Sequence, residues 1–128
     1  MKQTLTFFRC AHCGAILSEL RRGARPLCCG EPMCALTPNT AVASLDRHLP
    51  YVEIGGDQLT CRVGIEPHEM TEAHFIEWIC LETVKGYQWK RMQLGEDAVP
   101  QAEFKIADDL PVACYAYCNL HGLWRTSI

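Results

Sequence analysis

The chain has 128 residues, of which 48% are hydrophobic, and carries a formal charge of −3. That is enough for one ordinary domain, or for a small domain joined to a larger one, and too apolar for wholesale disorder. There is no basic excess to suit nucleic acid, and attraction of an anionic substrate would need a local positive charge.

Residues 1–37 read as a first domain. They contain Cys10, Cys13, Cys28, Cys29 and Cys34 and little continuous apolar sequence. A segment this short buries little surface by itself and needs a metal or disulfide staple. Met1 to Cys10 shows neither an extended apolar run nor a small-residue cleavage site, and no apolar stretch approaches the length of a bilayer span. A cytoplasmic, membrane-free protein is therefore expected. In that reducing setting nine cysteines, odd in number and with Cys28 and Cys29 adjacent, favour metal ligation over a disulfide framework. Cys10-Ala-His-Cys13-Gly14 is a C-x-x-C turn in which Gly14 relieves backbone crowding, and Cys28-Cys29-Gly30 supplies two further thiolates. Four thiolates suit a tetrahedral zinc or iron centre, and spacing alone leaves the two metals open.

Thr37-Pro38-Asn39-Thr40 reads as a connection to a second domain over residues 38–128. Short β-like runs follow. Tyr51–Ile54 and Leu59–Ile65 flank Gly55-Gly56-Asp57 as a hairpin. His74–Thr83, Tyr87–Leu94, Ala102–Ile106, Val112–Cys118 and Leu123–Ser127 complete the set. Strands at this spacing predict an all-β sandwich or barrel.

His48, His68, His74 and His121 all lie in this second part, with Cys118 three residues before His121. A lone histidine or cysteine would read as a packed or surface residue. Five such groups in one domain suggest a nitrogen-rich site with a single soft thiolate, more ligands than structural zinc takes and suited to redox chemistry.

Cys10-x-x-Cys13-Gly, Cys28-Cys29-Gly and Met33 resemble the rubredoxin-like N-terminal module of desulfoferrodoxin. The elements His48-x-Pro50, His68, His74-x-Ile76-x-Trp78-Ile79 and Cys118-Asn119-x-His121-Gly122 resemble the catalytic module of the same family, in the same order. The resemblance implies an all-β chain: a small rubredoxin-like metal-binding domain, then an immunoglobulin-like β-sandwich, paired as a homodimer. It implies two irons, one bound by Cys10, Cys13, Cys28 and Cys29 as an electron relay. The other would be a non-haem Fe(His)4(Cys) centre with His48, His68, His74 and His121 equatorial and Cys118 axial. The implied activity is one-electron reduction of superoxide to hydrogen peroxide, with electrons from a rubredoxin-like donor. Trp78 would pack beside the second site, and backbone amides after Cys118 would bond its sulfur. The alternative is a non-catalytic iron-binding electron-transfer protein of the same fold.

Three positions depart from the family pattern. Asp46-Arg47 stands where the family writes Glu-Lys. The family glutamate can reach the open iron position and its lysine attracts superoxide and helps protonate or release peroxide. Asp46 is one methylene shorter, whereas Arg47 keeps the charge but is a poor proton donor. Steering is thus expected to survive better than lysine-dependent protonation. Glu69 follows His68 where the family often has proline, predicting a looser loop with ligand spacing intact. Cys34, Cys61, Cys80 and Cys114 match no ligand position and are read as small buried residues.

Overall fold

A computed structural model describes residues 5–128. The chain divides into two compact units, Met1–Thr37 and Pro38–Ile128.

In the first unit β1 (Phe7–Arg9) is the middle of a three-stranded antiparallel sheet, between β2 (Ile16–Ser18) and β5 (Cys34–Ala35). A second, two-stranded ladder joins β3 (Leu27–Cys28) to β4 (Glu31–Pro32). Strands of two or three residues leave little to pack: a small core holds Phe8, Cys10 and Met33, with Cys28 against it. Cys34 is exposed, contrary to the expectation that it is buried.

The second unit begins with α1 (Leu45–His48), a single helical turn that the sequence pattern did not reveal. β6 (Pro50–Gly55) and β7 (Gln58–Val63) then form the expected hairpin, with Gly55 paired to Gln58 across Gly56-Asp57. Gly56 takes φ +60°, the left-handed first position that a two-residue hairpin turn of this kind requires of glycine. β10 (Gln101–Lys105) pairs with the other side of β7 to give the sheet β10-β7-β6. The opposing sheet, in the order β12-β11-β8-β9, is built from β8 (Ile76–Thr83), β9 (Tyr87–Arg91), β11 (Pro111–Cys118) and β12 (Gly122–Ser127).

The core lies between these sheets. Alternate residues of β7 (Leu59, Cys61, Val63) and β10 (Ala102, Phe104) face inward, as a period of two dictates. They meet Ile76, Ile79, Leu81, Cys114, Ala116 and Cys118 from β8 and β11. Two separate antiparallel sheets over one core resolve sandwich against barrel. Cys61, Cys80 and Cys114 are buried, as expected, with Cys61 Sγ and Cys114 Sγ 2.6 Å apart across the core.

Two candidate metal centres

Cys10, Cys13, Cys28 and Cys29 bring their sulfurs together, all within 4.8 Å of one another. Successive residues of a strand point to opposite faces, so Cys28 and Cys29 could not both reach one point in regular β-structure. Cys29 takes φ +52° and Gly30 φ +78°, which breaks the alternation immediately after β3. On the facing turn Gly14 has φ +79°, and its amide donates to the Cys10 carbonyl at 3.0 Å.

The Cys10 sulfur accepts from the Cys13 and His12 amides at 3.4 Å each, and these bonds, Cys13 first, lower its thiol to about 6. Its neighbours go the other way. Cys28 is pushed up to about 12, chiefly by the Cys13 sulfur 3.6 Å away and then by Cys10, and Cys29 is raised by the same two neighbours. The Cys10 thiolate is thus favoured, and the Cys28 and Cys29 thiols are held protonated against it. A bound cation would let all four ionise, so this donor set fits a metal.

The second centre gathers ligand atoms from one helical turn, two loops and one strand. His48 ends α1, His68 and His74 lie on the segment between β7 and β8, and Cys118 ends β11. One ligand atom from each lies within 4.8 Å of all the others. His121, on the turn between β11 and β12, stands beside this group. Its Nδ1 is 3.2 Å from His48 Nε2 and 3.8 Å from Cys118 Sγ.

Three of the rings are aimed by their far nitrogens. His48 Nδ1 donates to the Ser44 carbonyl at 2.7 Å and His68 Nδ1 to the Glu69 carbonyl at 2.7 Å. His74 Nδ1 pairs with the Glu69 carboxylate at 2.9 Å. With the proton on Nδ1, Nε2 carries the lone pair and faces the cluster. Among the described residues, His74 Nε2 is buried with no hydrogen-bond partner. Burial lowers the His68 pKa to about 4 and also lowers that of His48, so both rings are neutral, the ligand form, near pH 7. Burial raises the Cys118 thiol, while the amides of His121 and Leu120 bond the sulfur and oppose that shift, as anticipated. Converging lone pairs, an orphaned buried nitrogen and a thiol that desolvation alone would keep protonated fit a bound cation.

The loops that carry these rings are locked together. Gly64 donates to the Leu49 carbonyl at 3.0 Å, Ile65 to Asp46 at 2.7 Å and His68 to Val63 at 3.2 Å. Gly64 has φ +89°, and a Cβ there would lie 2.3 Å from the Glu66 carbonyl oxygen and 2.9 Å from that of Arg47. Asn119 binds the second pair of segments: its side chain accepts from Phe75 N–H and donates to the Ala73 carbonyl, both at 3.0 Å.

The Arg47 guanidinium is 3.1 Å from the Glu66 carboxylate, both largely exposed, so its charge is partly answered locally. Asp46 meets this network through its backbone carbonyl, and its side chain is exposed. The aromatic stacked on a candidate ligand is Trp124, 4.8 Å from the His48 ring at 29° and donating through Nε1 to the His121 carbonyl at 3.1 Å. Trp78 stacks on Tyr117 at 5.5 Å. Glu69 does not simply loosen its loop: it supports both His68 and His74.

The family model described as Desulfoferrodoxin matches residues 40–127. A desulfoferrodoxin of Nitratidesulfovibrio vulgaris is 39% identical, and one of Syntrophotalea carbinolica 38% identical, each match covering 98% of both chains. A crystal structure of the superoxide reductase from Treponema pallidum superposes with TM-score 0.81 at 33% identity, covering 98% of this chain and all of that one.

Proposed function

We propose that this chain, which belongs to the desulfoferrodoxin family, is a superoxide reductase that takes one electron and two protons to convert superoxide to hydrogen peroxide. The observation that carries the reading is the convergence of imidazole nitrogens from His48, His68 and His74 on the Cys118 sulfur, with His121 Nδ1 alongside. We assign these five residues as the ligands of the reactive iron. Cys10, Cys13, Cys28 and Cys29 are assigned to a second iron, in a desulforedoxin-type domain that relays electrons.

An iron held by His48, His68, His74, His121 and Cys118 would supply the electron that reduces the small anion. The protein's part is to hold four imidazole nitrogens and one sulfur donor in a fixed array. Ser44 and Glu69 fix three of the ring orientations, and Trp124 covers one face of His48. The Leu120 and His121 amides share the charge of the Cys118 sulfur and temper its donation to the metal. Arg47 offers the anion a positive charge beside His48 on α1 and leaves proton delivery to water, because a guanidinium does not release its proton at working pH.

The reading extends to a rubredoxin-like electron donor, a homodimer, a cytoplasmic site of action and a role in superoxide detoxification. These rest on the family resemblance. Among the described residues no helix is long and apolar enough to cross a membrane.

A second reading, a non-catalytic iron electron-transfer protein, is favoured by the Arg47–Glu66 pair and by the shorter acid at Asp46. One preparation separates the two. Iron and zinc are measured per chain, visible spectra are recorded in both oxidation states, and the reduced protein is exposed to a pulse of superoxide. Two irons and rapid oxidation of the second centre are expected. Iron-loaded protein whose second centre ignores superoxide would leave the electron-transfer reading, and colourless zinc protein would end both.

A further inference from the structure

We infer that Glu69 is a positioning residue for the nitrogen-rich site, fixing the His74 ring and pushing electron density through it toward the metal. This role rests on the metal reading above. His48 and His68 lean on neutral backbone carbonyls, whereas His74 leans on a carboxylate, with Glu69 Oε1 2.9 Å from its Nδ1. The carboxylate is itself held. Thr71 Oγ1 lies 3.2 Å from Glu69 Oε2 and 3.1 Å from the His74 carbonyl, two acceptors that share its single hydrogen. The amides of Thr71 and His74 each donate to the other's carbonyl, at 3.0 and 3.1 Å, closing the segment on itself. Glu69 also accepts from His68 through its backbone. Any residue could make that last bond, but only an acidic side chain brings a charge to His74.

A carboxylate accepting from the outer nitrogen of a ligand imidazole raises the basicity of the inner one and fixes its tautomer. Two consequences follow for this chain. The metal is held more tightly, and its higher oxidation state is favoured, so the reduction potential is lowered. Both depend on charge as well as shape, which the amide and alanine variants separate.

The test compares the native chain with Glu69→Gln, Glu69→Ala and Glu72→Gln, the last removing an exposed loop carboxylate as a control. Cobalt(II) affinity of the metal-free protein is followed at the absorption bands that Cys118→Ser abolishes, and the potential of the second iron is measured by spectroelectrochemistry. Glu69→Ala is expected to weaken cobalt binding by about 10- to 100-fold. Glu69→Gln, which keeps an acceptor but no charge, should weaken binding less and still raise the potential, while Glu72→Gln leaves both unchanged. Native affinity and native potential in both Glu69 variants would overturn the inference. So would a potential rise in Glu72→Gln equal to that in Glu69→Gln, since any nearby charge would then suffice. Failure of the native chain to develop Cys118-dependent cobalt bands would overturn the metal reading itself, a separate result.

Discussion

Gly64→Ala tests how the reactive site is assembled, because Gly64 touches neither metal nor substrate. The new methyl would stand 2.3 Å from the Glu66 carbonyl oxygen, 2.9 Å from the Arg47 oxygen and 3.1 Å from the Arg47 carbonyl carbon. All three are backbone atoms, which cannot swing aside as a long side chain can. Restoring an ordinary contact of about 3.5 Å needs a displacement of about 1 Å. The φ of +89° adds strain that glycine does not feel. Together these should cost about 2–4 kcal/mol of folding stability. If the loops yield instead, His48 and His68 move apart, and a misplacement of about 1 Å can lower a rate about 100-fold. Thermal melting of the metal-free protein and cobalt(II) titration read the two outcomes. Gly55→Ala is the control, since nothing lies within 4 Å of its added Cβ. A Gly64→Ala protein with native melting temperature, cobalt affinity and superoxide rate would refute this account of the loop junction.

Three further outcomes are expected. Burial depresses the His68 pKa from 6.5 to about 4. The unfolded chain therefore takes up that proton first, and metal-free protein should lose stability as pH falls from about 6.5 toward 4, by up to about 3 kcal/mol; a flat melting temperature across that window counts against the buried neutral ring. Glu66→Gln should speed oxidation of the reduced protein by superoxide at low ionic strength and Arg47→Ala should slow it, each by up to about fivefold, the difference fading in salt; identical salt dependence in all three proteins removes Arg47 from steering. Cys13→Ser should abolish the first centre while sparing the second, so that bound iron falls toward one per chain with the Cys118-dependent band intact; loss of both bands would show the centres to be interdependent.

Much of this site was legible in the residues because its chemistry depends on side-chain type. Four cysteines in a segment without a core, and four histidines with a cysteine in a β-rich one, marked two metal centres before any geometry was known. The hairpin was legible because Leu59, Cys61 and Val63 alternate on either side of their polar neighbours. The tryptophans show where such reading stops. Ile76 and Trp78 are two apart, so regular alternation puts them on one face. The register shift between Tyr117 and Cys118 instead pairs Ile76 with Cys118 and Trp78 with Tyr117, placing Ile76 in the sandwich core and Trp78 against Tyr117. α1 is too short for a helical period to register, and the strands of the first unit are too short for alternation. Glu69 was visible only as a departure from proline. Its contact with His74 depends on how residues 69–74 close on themselves, which no local pattern encodes.

The two kinds of donor in the reactive site sit on parts of the fold with different freedom to vary. Cys118 ends a strand hydrogen-bonded on both sides, to β8 and to β12, and its sulfur belongs to the packed interior. The imidazoles hang from α1 and from connecting segments, held by backbone bonds, by Gly64 and by the side chains of Asn119, Glu69 and Thr71. Selection can therefore edit the charge and reach of the residues around the rings, as at Asp46, Arg47 and Glu69, while the sulfur and the sandwich stay fixed. The arrangement makes the reactivity of the centre adjustable from its rim without placing the fold at risk.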